Sequence, residues 1–217
     1  MGFTGGVPAP SGPTLVNSAE FESTATEEII PVTLPFVPVS GNLVVGCFIG
    51  GGLIEDVEGF TEAVTTGDFV GAAIWSSTNA PTEFDVTQSG DAGYCMGFME
   101  WSGNAAVPLD SAVNDTSNPG AGQSSIELTS PGDTAQAIEL VVALCGFLTT
   151  AGDREVTGWS GTFTRQFQNL LGVGSGGAND PRMDAGWYLT SGIETPSRTA
   201  SINPSARPSG VLTAFKF

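Results

Sequence analysis

The chain has 217 residues and a net charge of −17, with 23 acids, six bases and no histidine. The scarcity of Lys and Arg opposes binding to nucleic-acid phosphates and to anionic membrane surfaces. The absence of His removes imidazole bases, Ser-His and Cys-His nucleophile pairs and His metal ligands.

The charges are segregated. Residues 1–153 hold 19 acids and no base, and Arg154, Arg165, Arg182, Arg198, Arg207 and Lys216 all follow. Several of Arg154, Arg165, Arg182, Arg198 and Arg207 are therefore expected within pairing distance of acids of residues 1–153. The composition reads as an inert surface protein rather than an enzyme. No catalytic, cofactor-binding or metal-binding residue is assigned, and neither a nucleic-acid nor a membrane partner is expected.

Residues 1–16 are rich in Gly, Pro and Ser and read as an extended arm. The start shows neither the basic nor the apolar stretch of a secretory signal. Residues 17–217 read as a single β-sandwich domain. Its strand signals come in order: EEIIPVTLPF, GNLVVGCFIGG, FTEAVTTGDFVGAAIWSS with a turn at Gly67-Asp68, TEFDVTQSGDAGYCMGFMEWSG, SSIELTS, AIELVVALCGFL, EVTGWSGTFTRQF, MDAGWYLTSG, PSRTASINPS and GVLTAFKF.

Ile126 and Leu128 alternate with Glu127 and Thr129, as a half-buried strand requires. LVVGCFI and LVVALCGFL are apolar throughout, as in strands covered on both faces. Gly and Pro cut the chain into short pieces, and no amphipathic helix is visible. The expectation is an all-β, two-sheet antiparallel sandwich of roughly ten strands, with no repeat of fixed period. Residues 102–123 read as a long surface loop or an inter-subunit contact.

Each cysteine lies in an apolar run, so Cys47, Cys95 and Cys145 are expected as buried reduced thiols. Gly172-Val-Gly174-Ser-Gly-Gly177 spells G-x-G-x-x-G, but Pro181 opposes the helix a dinucleotide site needs. Glu83-Phe84-Asp85 begins like a glycosidase signature, yet Gln88 stands where a second acid belongs and only a distant residue, Glu100, could supply the partner. Gly158-Trp159-Ser160-Gly161 is one residue short of a nucleophile elbow and has no His to activate its serine. Glu55, Asp56, Glu58 and Glu62 form the densest acidic cluster, a solvated loop whose spacing matches no Ca2+ motif. Trp75, Trp101, Trp159 and Trp187 lie in strand signals and read as core.

The order of GNLVVGCFIGGG, EGFTEAVTTGDFVGAAIW, TEFDVTQSGDAGYCMGFMEWSGNAAVPLD, IELTSPGD, AIELVVALCGFLTT, GWYLTSG and terminal GVLTAFKF resembles a β-sandwich family of tailed-phage virion proteins. Trp101 replaces the Tyr expected before the Pro-Leu-Asp loop. The resemblance implies a jelly-roll-like fold without a catalytic site or cofactor.

It further implies a capsid decoration, or cement, protein on the outer capsid surface of the virion, made in the host cytoplasm. The partners implied are the major capsid protein and neighbouring copies of the chain, as a homotrimer. The alternative is a tail-fibre or adhesin module that binds host-surface glycans. A polysaccharide-degrading sandwich enzyme is disfavoured by the missing second carboxylate.

Overall fold

The computed structural model describes residues 12–22, 26–66, 70–149, 154–172 and 180–217. Residues 1–11 of the expected arm, the Gly67-Asp68 turn and most of the G-x-G-x-x-G stretch lie outside them. The fold is all-β and antiparallel. The described residues form sixteen strands in four sheets, not about ten strands in two.

The first eight strands are β1 (Thr14–Glu22), β2 (Glu27–Thr33), β3 (Leu43–Gly50), β4 (Ile54–Val57), β5 (Thr61–Thr66), β6 (Gly71–Ser77), β7 (Glu83–Ala92) and β8 (Tyr94–Ser102). The second eight are β9 (Leu109–Ser117), β10 (Gln123–Thr129), β11 (Glu139–Thr149), β12 (Glu155–Trp159), β13 (Thr164–Leu171), β14 (Asp180–Leu189), β15 (Ser197–Ala206) and β16 (Pro208–Lys216). β1 starts inside the expected arm, and β9 lies inside the expected 102–123 loop. Both are edge strands with polar sequences, which hides them from an apolar-pattern reading.

The two sets of eight are wired identically. In the first, a five-stranded sheet runs β1-β8-β3-β6-β5 and a three-stranded sheet runs β2-β7-β4. In the second, the five-stranded sheet runs β9-β16-β11-β14-β13 and the three-stranded sheet β10-β15-β12. Adding eight to each strand number converts one half into the other. Burial follows the same correspondence: β2 and β10 have the same sequence of exposed and buried positions, with Ile30 and Val32 buried where Ile126 and Leu128 are buried.

The sheets stack in four layers with three cores between them. Ile30, Val32, Phe84 and Val86 of the first outer sheet pack with Val44, Phe48, Met96 and Phe98. Ile126, Leu128, Ala200 and Ile202 of the second outer sheet pack with Val141, Cys145, Phe147 and Leu212. Between the halves, Leu43, Val45, Cys47, Ile49, Met99 and Trp101 meet Leu140, Val142, Leu144, Met183, Val211 and Phe215.

The layering explains why LVVGCFI and LVVALCGFL are apolar on both faces: β3 and β11 are central strands of the two inner sheets. Contacts between the halves are reciprocal. β5 lies against β9 and β16 as β13 lies against β1 and β8, the pattern of a two-fold contact between equivalent units.

The three cysteines are free and buried, as expected. Burial pushes all three thiols well above the ordinary thiol range. Native protein should therefore react with a thiol reagent only at the rate at which it unfolds. Rapid stoichiometric labelling of any one of the three would contradict this packing.

Candidate functional site

The acids singled out in the sequence are not brought together as a catalytic pair. Glu83 and Asp85 are exposed on β7 of an outer sheet, whereas Glu100 is buried in β8 of an inner sheet. Gln88 is also buried, and its Nε2 donates to the carbonyls of Glu27 at 2.6 Å and Ala92 at 2.7 Å, locking the end of β7 to β2. Ser160 Oγ accepts the Thr199 amide at 2.9 Å and clasps β15, a structural use of the elbow-like serine.

In the acidic cluster, Glu55 and Asp56 belong to β4 rather than to a loop. Glu58 accepts the Asp85 amide at 3.4 Å and joins Glu83 and Asp85 along a shallow acidic groove. Among the described residues no three acids or thiols are placed to hold a metal ion. Trp75 and Trp101 are buried. Trp187 is half-buried and meets Trp101 edge-on across the central core, at 4.7 Å and 82°. Trp159 is half-buried, stacked on Phe163 at 4.6 Å.

Four buried carboxyl groups, Glu100, Asp110, Glu139 and Asp184, organise the polar interior. Asp184 on β14 accepts Trp159 Nε1 at 2.7 Å, Arg165 Nε at 3.1 Å and the Asn169 amide at 3.2 Å, and it forms a close ion pair with Arg165. Arg165 also donates to the Val156 carbonyl at 2.8 Å. Asn169 has a φ of 53° at a bulge in β13, and its Oδ1 accepts the Val156 amide at 2.8 Å, so β12 and β13 are tied around the same carboxylate. Burial raises the Asp184 carboxyl above its ordinary value, with the Arg165, Trp159 and Asn169 donors pulling it back. Arg165 thus pairs with an acid of its own half, against the expectation of a partner in residues 1–153.

Glu139 opens β11 beside Asp110 of β9. Its Oε1 accepts the Gln136 amide at 2.9 Å, and Asp110 accepts the Ala135 amide at 2.7 Å, so the 133–138 loop is held between two neighbouring carboxyls. Burial, with Asp110 adding to it, pushes the Glu139 carboxyl up to about 7. A raised native pKa stabilises the fold below the unfolded value and loses that stability as pH rises through the native one. Melting temperature should therefore fall between about pH 4.5 and about pH 7 in the native chain, and fall less in Glu139→Gln, which stays uncharged. Equal pH slopes in the two proteins would refute this.

Glu100 does a different job. Its carboxylate accepts Asn17 Nδ2 at 2.6 Å, the Val39 amide at 2.8 Å and Asn42 Nδ2 at 2.8 Å. Burial pushes this carboxyl up, but the three hydrogen bonds outweigh it and hold it below the usual carboxylate range. The network pins Pro35-Phe36-Val37-Pro38-Val39, a loop that turns Val37 and Val39 to solvent at 75% and 57% exposure.

Beside that loop lies a groove of about 340 Å³. Leu43, Pro108 and Leu109 give it apolar walls, Val107 stands on its edge at 71% exposure, and Ser77 and Asn79 supply polar atoms. The Gly41 amide donates to the Thr78 carbonyl at 3.0 Å and joins loop to groove. Leu34–Leu43, Ser76–Ala80 and Gly103–Leu109, which form this end, contain no charged residue. This end, where three loops free of charged residues meet on a strongly acidic molecule, is the best candidate site.

Sequence reasoning missed it because it joins three loops from separate strand pairs. The buried acids did leave a signal: Glu100 in F-M-E-W and Asp184 in M-D-A-G-W stand among apolar and aromatic neighbours. No protein-family model matches the chain, and comparison with curated proteins and with solved structures gives no significant match.

Proposed function

We propose that this chain is a structural virion protein of a tailed phage, a decoration protein that binds the outer capsid lattice beside the major capsid protein and neighbouring copies of itself, as a homotrimer. One observation supports the reading: each half runs 1-8-3-6-5 in one sheet and 2-7-4 in the other, an order that resembles an eight-stranded jelly roll, an architecture used in viral capsids. The groove end and the acidic outer sheet suit a protein that works by binding energy. Acids such as Glu28, Glu55, Asp56, Glu83 and Asp85 are exposed on that sheet and repel like-charged surfaces.

Binding to assembled but not to dissociated shells stabilises the lattice by mass action, by about 2.7 kcal/mol per site at a hundredfold excess over Kd. The test is titration of the purified chain onto bare capsids followed by cryo-electron microscopy. Saturable density at symmetry-equivalent outer positions is the expected result. No binding to capsids, together with retention on a host-glycan array, would replace this reading with the adhesin alternative. Jelly rolls also serve lectins, and the stacked Trp159–Phe163 pair is where a sugar ring would stack.

A further inference from the structure

Resting on the self-assembly part of that reading, we infer that the groove between Leu43, Asn79, Val107 and Leu109 is the seat of the N-terminal segment Phe3–Pro10 of a neighbouring copy of this chain. Each copy gives its segment to the next around a closed ring.

Electrostatics select the surface. Two copies at −17 each repel over most approaches, and burying acid against acid is costly. The three loops at the groove end carry no charged side chain, and residues 1–19 carry none either, since Glu20 is the first ionisable side chain. Contact between this end and this segment brings no like charges together.

The chemistry also fits. Phe3, Val7, Pro8, Ala9 and Pro10 give the segment an apolar, proline-rich character. Proline-rich segments dock in apolar grooves with little loss of chain entropy, because their extended form is largely preset. Leu43, Pro108 and Leu109 supply an apolar bed, and Ser77 and Asn79 offer hydrogen-bond partners for the backbone of an extended chain.

Position completes the argument. β1 begins at Thr14, paired with Ser102 on one side of β8, while Leu43 of the groove pairs with Trp101 on the other side. Two strand spacings separate them, roughly 10 Å. The segment therefore leaves the body at the same end as the groove. When two copies meet through this end, the segment of one lies at the groove of the other.

A neighbouring copy is favoured over return into the same groove because a single short segment would fill the groove and still leave Val37 and Val39 in water. The body of a second copy covers them. The Glu100 network holds the loop of Val37 and Val39 ready for that contact.

The experiment is sedimentation equilibrium of the purified full chain, alone and without capsids, beside a deletion of residues 2–11 and a Val107→Glu variant. Melting temperature checks that both variants remain folded. The full chain should self-associate, and each variant should weaken that association roughly tenfold or more. A full chain that stays monomeric up to its solubility limit would overturn the inference. So would association that survives the deletion or the Val107→Glu change. If the full chain is monomeric and the deletion exposes a cysteine probe placed at Asn79, the segment returns to its own groove and the exchange is wrong. A monomer that still decorates capsids would defeat this inference and leave the capsid reading standing.

Discussion

Arg165→Met should destabilise the protein by about 3–5 kcal/mol at about pH 7, the cost of stranding a buried carboxylate without its cation. Asp184 is fully buried, and its remaining donors would be the Trp159 indole and the Asn169 amide. Arg165→Lys should lose less, because it keeps the charge but gives up the fork that reaches both Asp184 and the Val156 carbonyl.

The pH dependence gives the sign. The Asp184 carboxyl already lies above its ordinary value, and removing Arg165 raises it further. Acidification then neutralises it in the variant, so the deficit relative to the native chain should shrink as pH falls toward about 4. Chemical denaturation at two pH values measures both effects. A deficit that is small at neutral pH, or that grows on acidification, would show that Asp184 is not held as the structure places it.

The second large effect is expected at the contact between the halves. Counting from the shared Leu-Val-Val, Ile49 of β3 and Gly146 of β11 occupy equivalent positions, and they face each other across the central core. In a contact between identical units, a residue on the two-fold axis meets its own copy. Here one copy is a branched side chain and the other a glycine, so the pair is a knob in a hole. A Cβ on residue 146 would overlap Ile49 Cδ1 and Cγ1 and come within 2.8 Å of the Arg182 carbonyl.

Gly146→Ala should therefore cost about 1–3 kcal/mol or slightly more, the range for overpacking a tight core. Ile49→Ala alone should cost about 2–5 kcal/mol by leaving a cavity. The double variant should be more stable than the sum predicts, by about 0.5–3 kcal/mol. Denaturant midpoints for the four proteins measure the coupling. Additive costs would mean that the two positions do not meet.

The all-β class was legible in the sequence because its cause is local. Alternation at Ile126 and Leu128, punctuation by Gly and Pro and the lack of helical periodicity act within each segment. The burial of Cys47, Cys95 and Cys145 was legible for the same reason.

The number of layers was only half legible. Two runs apolar on both faces, LVVGCFI and LVVALCGFL, exceed what a two-sheet sandwich can cover, since each of its sheets turns one face to water. Their presence in both halves demands inner sheets with partners on each side. The repeat is hidden in the sequence because Leu-Val-Val and the pattern around Ile30 and Ile126 are what the two halves share, while the offset between equivalent strands grows along the chain.

What the tertiary structure alone decided is where the polar groups converge. Asp110 meets Glu139, Arg165 meets Asp184, and Asn17, Val39 and Asn42 meet at Glu100 because β9 and β11 flank β16, β13 pairs with β14, and β1 pairs with β8. The groove end has the same origin: each loop reads as an ordinary connection by itself, and the chain ordering of antiparallel strands sets all three at one end of the stack.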